Sequence, residues 1–160
     1  MDVVKSILIA KFEEIHRRVI LVLDQLSDRQ VNWRPNDSSN SIANLIVHIS
    51  GNINERISKG INNKDFIRNR DEEFGELNRT QEELIQITNE SFREIIETTK
   101  SMTEETFMKT QLVRDRERTN LDMLIQYATH FSEHMGQVFY ISKIIKDREY
   151  VTTSISRREL

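Results

Sequence analysis

The chain contains no cysteine, only one proline and only four glycines among its 160 residues. The absence of cysteine excludes disulfides, a thiolate nucleophile within the chain and cysteine-ligated zinc, and it is compatible with a reducing cytoplasm. Because proline and glycine build most tight turns, their scarcity argues against an all-β fold and favours long helices. We therefore expect an all-α cytoplasmic protein.

Long apolar runs and an excess of basic residues are also missing. The longest apolar run near the start, Val19–Leu23, is far shorter than the roughly 20 residues that span a bilayer. The N-terminus lacks the basic and apolar regions of a cleavable signal. The formal net charge of −3 argues against a nucleic-acid surface. We expect neither a membrane nor nucleic acid as a partner, and the length predicts one domain over residues 1–160.

Apolar residues in the first part of the chain recur at steps of three and four residues, the spacing of one helix face. This pattern predicts a helix over about Val3–Leu26. A second helix starts near Ser39–Ser41 and runs to about Gly60, where the glycine could supply the C-terminal cap. Between the two helices, Trp33 and the Arg34-Pro35 step favour an extended path.

Capping boxes indicate where two further helices begin. One at Thr80–Glu83 opens the third helix, and one at Thr119–Asp122 opens the last, which runs to about Lys146. The polar connection over residues 62–78 is long enough to be functional or partly structured. Residues 102–118 are expected to hold a turn with a short helix or a hairpin. Four long amphipathic helices imply a four-helix bundle, whose topology these connections leave open.

Two histidines lie four residues apart in the last predicted helix. His130 and His134 are separated by about one helical turn, so their imidazoles project from the same face. They follow the alternating three- and four-residue steps of a seam that faces other helices. Neutral imidazole binds zinc, nickel, copper and iron, so the pair is a candidate metal site. The same spacing also fits partly buried histidines that are hydrogen-bonded to their neighbours.

A third histidine, His48, lies beside the isoleucine stripe of the second helix. With Asn44, Asn52 and Arg56 it forms a polar ridge at four-residue steps, which suits either the lip of a cleft or a solvated flank. If His48 joins the pair, three protein ligands with an open position resemble a catalytic metal site. His16 has no histidine one turn away, so we expect a structural or surface role for it.

The segment from His130 to His134 also matches H-x-x-E-H, the signature of inverted zinc peptidases. In those enzymes the glutamate is the general base. Here Glu133 points about 100° away from His134 around the helix. We therefore regard the match as accidental.

Four segments of the chain are distinctive in their order and spacing: Leu26–Pro35, Asn40–Asn52, Arg68–Phe74 and His130–Lys143. Together they resemble the DinB/YfiT-like family of bacterial helical-bundle proteins. Within it they are most similar to a subfamily of unassigned function found in Bacillus and relatives. The resemblance covers nearly the whole chain.

The resemblance implies an up-down-down-up four-helix bundle in which three histidines hold a metal ion. His48 matches the family's first ligand, and His130 and His134 match the pair on its last helix. One divalent transition metal ion is expected, with zinc or nickel favoured and iron or manganese as further options. Family members often form homodimers, so a homodimer is expected. The tail Ser154–Arg158 departs from the related pattern, in which a proline and a glycine follow the isoleucine.

Characterised relatives include transferases that use low-molecular-weight thiols such as bacillithiol or mycothiol, and metal-dependent hydrolases or isomerases. The resemblance therefore implies a metal-dependent enzyme that acts on a small-molecule substrate. The absence of cysteine fits a thiol that arrives with a cosubstrate. Two alternatives stay open: a non-catalytic metal-binding bundle that acts in stress response or binds small molecules as a homodimer, and a helical interaction domain without metal. The candidate substrate-binding residues, chosen from their positions, are Asn52, Arg56, Arg70 and Tyr127.

Overall fold

The computed structural model describes residues 1–154, and helices account for most of them. In chain order the helices are α1 (Asp2–Leu23), α2 (Asp28–Val31), α3 (Ile42–Ile53), α4 (Arg70–Phe74), α5 (Gln81–Ser101), α6 (Glu104–Met108) and α7 (Asn120–Lys146). α3 continues as a π-helical turn over Asn54–Lys59, and a 3-10 turn at Asp147–Glu149 follows α7. Strands β1 (Thr110–Val113) and β2 (Arg116–Thr119) form a hairpin before α7. The prediction of a mostly helical protein is confirmed, and the hairpin is one of the two structures expected for residues 102–118.

The four long helices pack around one apolar core. α1 contacts α5 and α7, and α3 contacts the same two helices. Phe12 of α1, Phe92 of α5 and Phe131 of α7 are buried at the centre, with the Phe131 ring centroid 6.4 Å from that of Phe12 and 6.0 Å from that of Phe92. Each such side chain contributes about 1.5–3 kcal/mol to stability by leaving water. The core therefore joins the two helices that carry the histidines.

Side-chain hydrogen bonds show which ends of α1 and α5 meet. Near the start of α1, the Lys5 ammonium donates to the Met102 carbonyl at the end of α5, at 2.9 Å. At the other end, the Gln81 amide at the start of α5 donates to the Leu23 carbonyl, at 2.7 Å. The two helices therefore run in opposite directions along their shared interface.

One predicted helix end differs from the structure in position, and a second, at Gly60, agrees in position but differs in the conformation of its cap. α1 ends at Leu23 rather than Leu26, yet Leu26 stays buried because the following turn keeps it on the core side. Gly60 is not a left-handed cap, because its φ is −73°, and Asn63 adopts the left-handed conformation instead, with φ 55°. The structure requires a glycine at position 60 for space, since a Cβ there would overlap the Gln111 amide.

The two long connections both contain regular structure. Residues 62–78 hold α4, and residues 102–118 hold α6 together with most of the hairpin, whose strands pair antiparallel from Thr110 opposite Thr119 to Val113 opposite Arg116. Within residues 1–154, none of the helices combines the length and the hydropathy needed to cross a lipid bilayer. The tail from residue 155 onward lies outside the described residues.

Candidate metal centre

His48 is carried by α3, whose first turn is held by a capping box. The Ser41 hydroxyl accepts from the Asn44 N–H at 3.1 Å, and the Asn44 side chain accepts from the Ser41 N–H at 3.0 Å. α3 packs its isoleucine stripe against α5 and α7, which leaves His48 only 6% exposed on the flank of that stripe. Its imidazole also contacts Phe74, with ring centroids 4.8 Å apart. At this point the polar ridge predicted from the sequence is buried rather than solvated.

The other two histidines project from one face of α7 toward His48. Nε2 of His130 lies 3.1 Å from Nε2 of His134 and 3.3 Å from Nε2 of His48. One ligand nitrogen from each of the three lies within 4.8 Å of the others. His130 and His134 are partly exposed, so the cluster opens toward solvent on the α7 side. The fold thus brings together the three histidines that the sequence singled out.

The converging ring nitrogens have a spacing that fits a transition metal ion. Imidazole nitrogens bind zinc at about 2.0–2.1 Å, which places the ligand nitrogens of one ion about 3.0–3.4 Å apart. The separations of 3.1 Å and 3.3 Å fall within this range. A neutral imidazole carries only one N–H. Without a cation, three ring nitrogens that face each other therefore cannot all be paired in hydrogen bonds. The group can therefore hold a metal ion.

The second nitrogen of His48 is held by a buried carboxylate. Nδ1 of His48 lies 2.8 Å from Oε2 of Glu73, which is 4% exposed. A carboxylate only accepts, so Nδ1 carries the proton and donates it. Nε2 is then the acceptor nitrogen; it faces His130 at 3.3 Å and is also approached by the Asn52 amide at 3.1 Å. Burial lowers the pKa of His48, although the hydrogen bond to Glu73 acts in the opposite direction, and burial also lowers the pKa of His130. Both rings are therefore neutral, the form that binds metals, near pH 7.

Glu73 belongs to a set of four side chains that we call the outer polar network: Asn52, Glu55, Arg68 and Glu73. Arg68 grips Glu73 with two parallel bonds, from Nε to Oε1 at 2.5 Å and from Nη2 to Oε2 at 2.7 Å. Its Nη1 donates to Oδ1 of Asn52 at 3.1 Å and to Oε2 of Glu55 at 2.9 Å. Asn52 in turn lies 3.1 Å from His48 Nε2 through its Nδ2. The network therefore contacts both ring nitrogens of His48, Nδ1 through Glu73 and Nε2 through Asn52.

Sequence analysis missed Arg68 and Glu73 as site residues. Both lie in the connection over residues 62–78, where no periodicity indicates which charged side chains turn inward. The segment Arg68–Phe74 carried part of the family resemblance, and this was the only signal that could have directed attention to them. Their burial is decided by contacts with α3, far away in the chain.

Comparison with known proteins agrees with this description. A family model described as "Protein of unknown function (DUF1572)" matches residues 3–159. The chain belongs to the DUF1572 family. No curated protein matches its sequence significantly.

Solved structures place this DUF1572 protein in a known fold. A conserved protein from Enterococcus faecalis superposes with a TM-score of 0.72 at 14% identity, over 89% of this chain and 96% of the other. A DinB-like protein from Bacillus cereus gives 0.68 at 12% identity over 86% and 90%, and the DinB-like protein YjoA from Bacillus subtilis gives 0.63 at 14% identity over 86% and 91%. The resemblance to DinB-like proteins is confirmed. At these identities the structural likeness concerns the fold alone.

The four candidate substrate-binding residues of this DUF1572 chain occupy different surroundings. Asn52 lies in the outer polar network, beside His48. Arg56 lies in the π-helical turn and donates to the Leu112 carbonyl at 3.2 Å. Tyr127 is 8% exposed, and burial raises the pKa of its hydroxyl, which therefore stays neutral. The positive charge of Arg56 lies close enough to act against this rise. Arg70 is exposed and lies over the Phe74 ring, so the structure does not bring it to the histidines.

Two further sequence motifs lie outside the cluster. His16 hydrogen-bonds Asn89 at 2.7 Å and stacks on Phe92, in agreement with the structural role expected for it. The side chain of Glu133 is 67% exposed and approaches Nδ1 of His130 at 3.8 Å, away from the face where the Nε2 atoms meet. Its position offers no support for peptidase chemistry.

Cavity size does not identify this site. A groove of about 450 Å³ lies between the α2 region and the end of α7 and shares no residue with the histidine cluster. A smaller cavity of about 270 Å³ borders the outer polar network and is lined by Gly51, Arg68 and Glu73 among others. The groove contains none of the three imidazoles, so it does not supply the donor atoms that a metal ion requires.

Proposed function

We propose that this protein is a metal-dependent enzyme whose metal ion is held by His48, His130 and His134. The observation that carries the proposal is the convergence of the three histidines in a cluster that stays open to solvent on one side. His130 Nε2 lies 3.1 Å from Nε2 of His134 and 3.3 Å from Nε2 of His48, and one ligand nitrogen of each histidine lies within 4.8 Å of the others. Three protein ligands with an open position are typical of catalytic rather than structural metal sites. The ion would be a divalent transition metal, with zinc or nickel preferred over iron or manganese.

The charge of the surroundings admits a cation at this place. The outer polar network contains two carboxylates and one guanidinium, and the Arg56 guanidinium lies 3.6 Å from Glu55, so the charges beside the neutral imidazoles balance. When bound, a divalent ion lowers the pKa of a coordinated thiol or water, so that a nucleophile is available near neutral pH. Glu55 and Glu73 offset part of the ion's charge, and the remaining positive charge favours an anionic ligand at the open position.

We propose a small-molecule thiol as cosubstrate and S-transfer as the reaction, with hydrolysis as the second option. The chain itself contains no cysteine, so any thiolate must come from outside. In the transfer, the thiol sulfur forms a bond to an electrophilic carbon of the substrate. The leaving group departs with the electron pair of the broken bond, and the thiol proton goes to solvent. We expect Arg56 and Tyr127 to orient the substrate, and Asn52 to contact it beside the metal ion.

We further propose that α1, α3, α5 and α7 follow the up-down-down-up order. The antiparallel contacts of α1 with α5 support it. So does the hydrogen bond of 2.7 Å between Asn62, after α3, and Thr98, near the end of α5, because it puts two C-terminal ends together. The Gln111 amide donates both to the Arg56 carbonyl and to Asn120 at the start of α7, which puts the end of α3 beside the start of α7. Assembly as a cytoplasmic homodimer is part of the same proposal.

Metal content is the decisive first measurement. Wild type, His48→Ala and His130→Ala, purified without chelator, are compared by inductively coupled plasma mass spectrometry. His16→Ala is the matched control, because this histidine lies outside the cluster and bonds only Asn89. We expect about one metal ion per chain in wild type and in the control, and loss in the other two variants. Turnover would then be screened with low-molecular-weight thiols and with hydrolysable esters and amides.

An empty wild type that also refuses added zinc, nickel and manganese would overturn the proposal and leave a helical binding module. Metal retained in full by His48→Ala would exclude His48 as a ligand. A tightly bound metal without turnover in either assay would favour a non-catalytic metal-binding bundle.

A further inference from the structure

Glu73 contacts His48, a proposed metal ligand, although it lies in a connection between helices. Its carboxylate is buried and meets Nδ1 of His48 at 2.8 Å, on the side of the ring away from the cluster. Histidines that bind metals commonly donate their other N–H to a carboxylate, which fixes the ring orientation and makes the ligand nitrogen more basic. The position of Glu73 reproduces this arrangement.

The carboxylate has little freedom to turn. Arg68 bonds both of its oxygens in a bidentate pair. Arg68 Nη2 also lies 3.4 Å from His48 Nδ1, but a guanidinium has no acceptor atom, so this contact cannot receive the Nδ1 proton. Only Glu73 can accept it. The pair therefore determines which nitrogen of His48 is free to face the other two histidines.

The backbone that carries Glu73 is anchored as well. The buried Asn44 amide donates to the carbonyls of Glu73 at 2.8 Å and of Gly75 at 2.9 Å. The Arg34 guanidinium donates to the Phe74 carbonyl at 2.9 Å. These contacts hold the end of α4, where carbonyls have no partner within the helix. Both Arg34 and Asn44 thus act on the carboxylate through the main chain.

Space for the carboxylate is provided by α3 itself. A Cβ at Gly51 would overlap Oε1 of Glu73, so the helix presents bare backbone where the carboxylate approaches. A buried charged pair, an anchored backbone and a glycine that makes room are three independent features that serve one position.

We propose that Glu73, held by Arg68, is a positioning residue for the metal centre: it keeps His48 as the Nδ1–H tautomer with Nε2 aimed at the cluster. This inference rests on the proposed metal site but adds a residue that is neither a ligand nor in contact with substrate. Loss of such a partner lowers metal affinity by about 10- to 100-fold. The connection over residues 62–78 therefore contributes to the site through one side chain.

The test compares Glu73→Gln with Glu94→Gln. Glu94 pairs with Lys64 of the same connection at 2.7 Å, so its variant breaks an ion pair there without touching the histidines. Zinc affinity is measured by competition with a chromophoric chelator. In parallel, two-bond ¹⁵N–¹H spectra of metal-free wild type report the tautomer of His48, which requires no substitution in the outer polar network.

Support requires the Nδ1–H tautomer in wild type, zinc affinity at least about tenfold weaker in Glu73→Gln, and affinity within about threefold of wild type in Glu94→Gln. An Nε2–H tautomer would overturn the inference. Equal weakening in both variants would overturn it as well, because the loss would then reflect the connection in general. If wild type binds no zinc, the proposed function fails, and the tautomer alone decides the role of Glu73.

Discussion

Gly51 offers a sharp test of how closely α3 and the outer polar network fit. A Cβ at this position would overlap the Glu73 carboxylate and would lie 3.1 Å from Nε of Arg68. Gly136 in α7 is the matched control, because a Cβ there meets nothing within 4 Å. The pair Gly51→Ala and Gly136→Ala therefore makes the same chemical change in two long helices with opposite surroundings.

The two substitutions should change the free energy of unfolding in opposite directions. Alanine is about 0.5–1 kcal/mol more favourable than glycine inside a helix, so Gly136→Ala should raise the free energy of unfolding by about that amount. In Gly51→Ala the carboxylate must move away from Arg68 and His48. Breaking a buried ion pair costs about 3–5 kcal/mol. After the helix gain is subtracted, we expect a net loss of about 2–4 kcal/mol.

Urea unfolding of metal-free protein, followed by far-ultraviolet circular dichroism, measures both changes. The slope of the transition should stay the same in the two variants, so that the midpoint reports stability directly. If Gly51→Ala were as stable as Gly136→Ala and bound zinc as wild type does, the reasoning about the outer polar network would be refuted. The carboxylate would then have an alternative position that keeps its contacts.

Two further predictions concern stability, and Asn89→Ala is the control for the second. Burial lowers the pKa of His48 and His130 below the usual value of 6.5, so the metal-free folded state takes up fewer protons than the unfolded chain. The free energy of unfolding should therefore be constant above about pH 7 and fall as the pH drops through 6. The fall for two histidines is at most about 2.7 kcal/mol per pH unit. Equal urea midpoints at pH 7.5 and pH 5.5 would contradict this. Asn44→Ala removes the donor to the Glu73 carbonyl and the acceptor for the Ser41 N–H, and should lower stability by about 2–6 kcal/mol, since each buried group left unpaired costs about 1–3 kcal/mol. Asn89→Ala, at an exposed position, should change stability by less than about 0.5 kcal/mol in the same urea assay.

The long helices could be predicted because their signals are local. Thr80 and Thr119 cap helices that begin at the next residue, with a complete capping box at Thr80 and a side-chain N-cap bond at Thr119. The apolar steps of α1 correspond to its buried face from Leu8 to Val22. Capping and periodicity act within one or two turns of a helix, so they can be read without knowing what the helix packs against.

The connections could be predicted only in outline. Residues 102–118 hold both a short helix and a hairpin, where the sequence indicated one or the other. Gly60 illustrates the reason, because it caps the helix as expected but also leaves space for the Gln111 side chain from a distant strand. Such contacts depend on which segments meet, and nothing near position 60 specifies that.

The sequence by itself determined the helical class, the histidine pair on one face of α7 and the family resemblance that added His48, because each of these depends on spacing along the chain. Only the tertiary structure decided that Arg68 rather than Arg70 turns inward and that Glu73 meets His48. The physical reason is that a charged side chain in a connection is buried only where its partners are already in place, and here these partners come from α3.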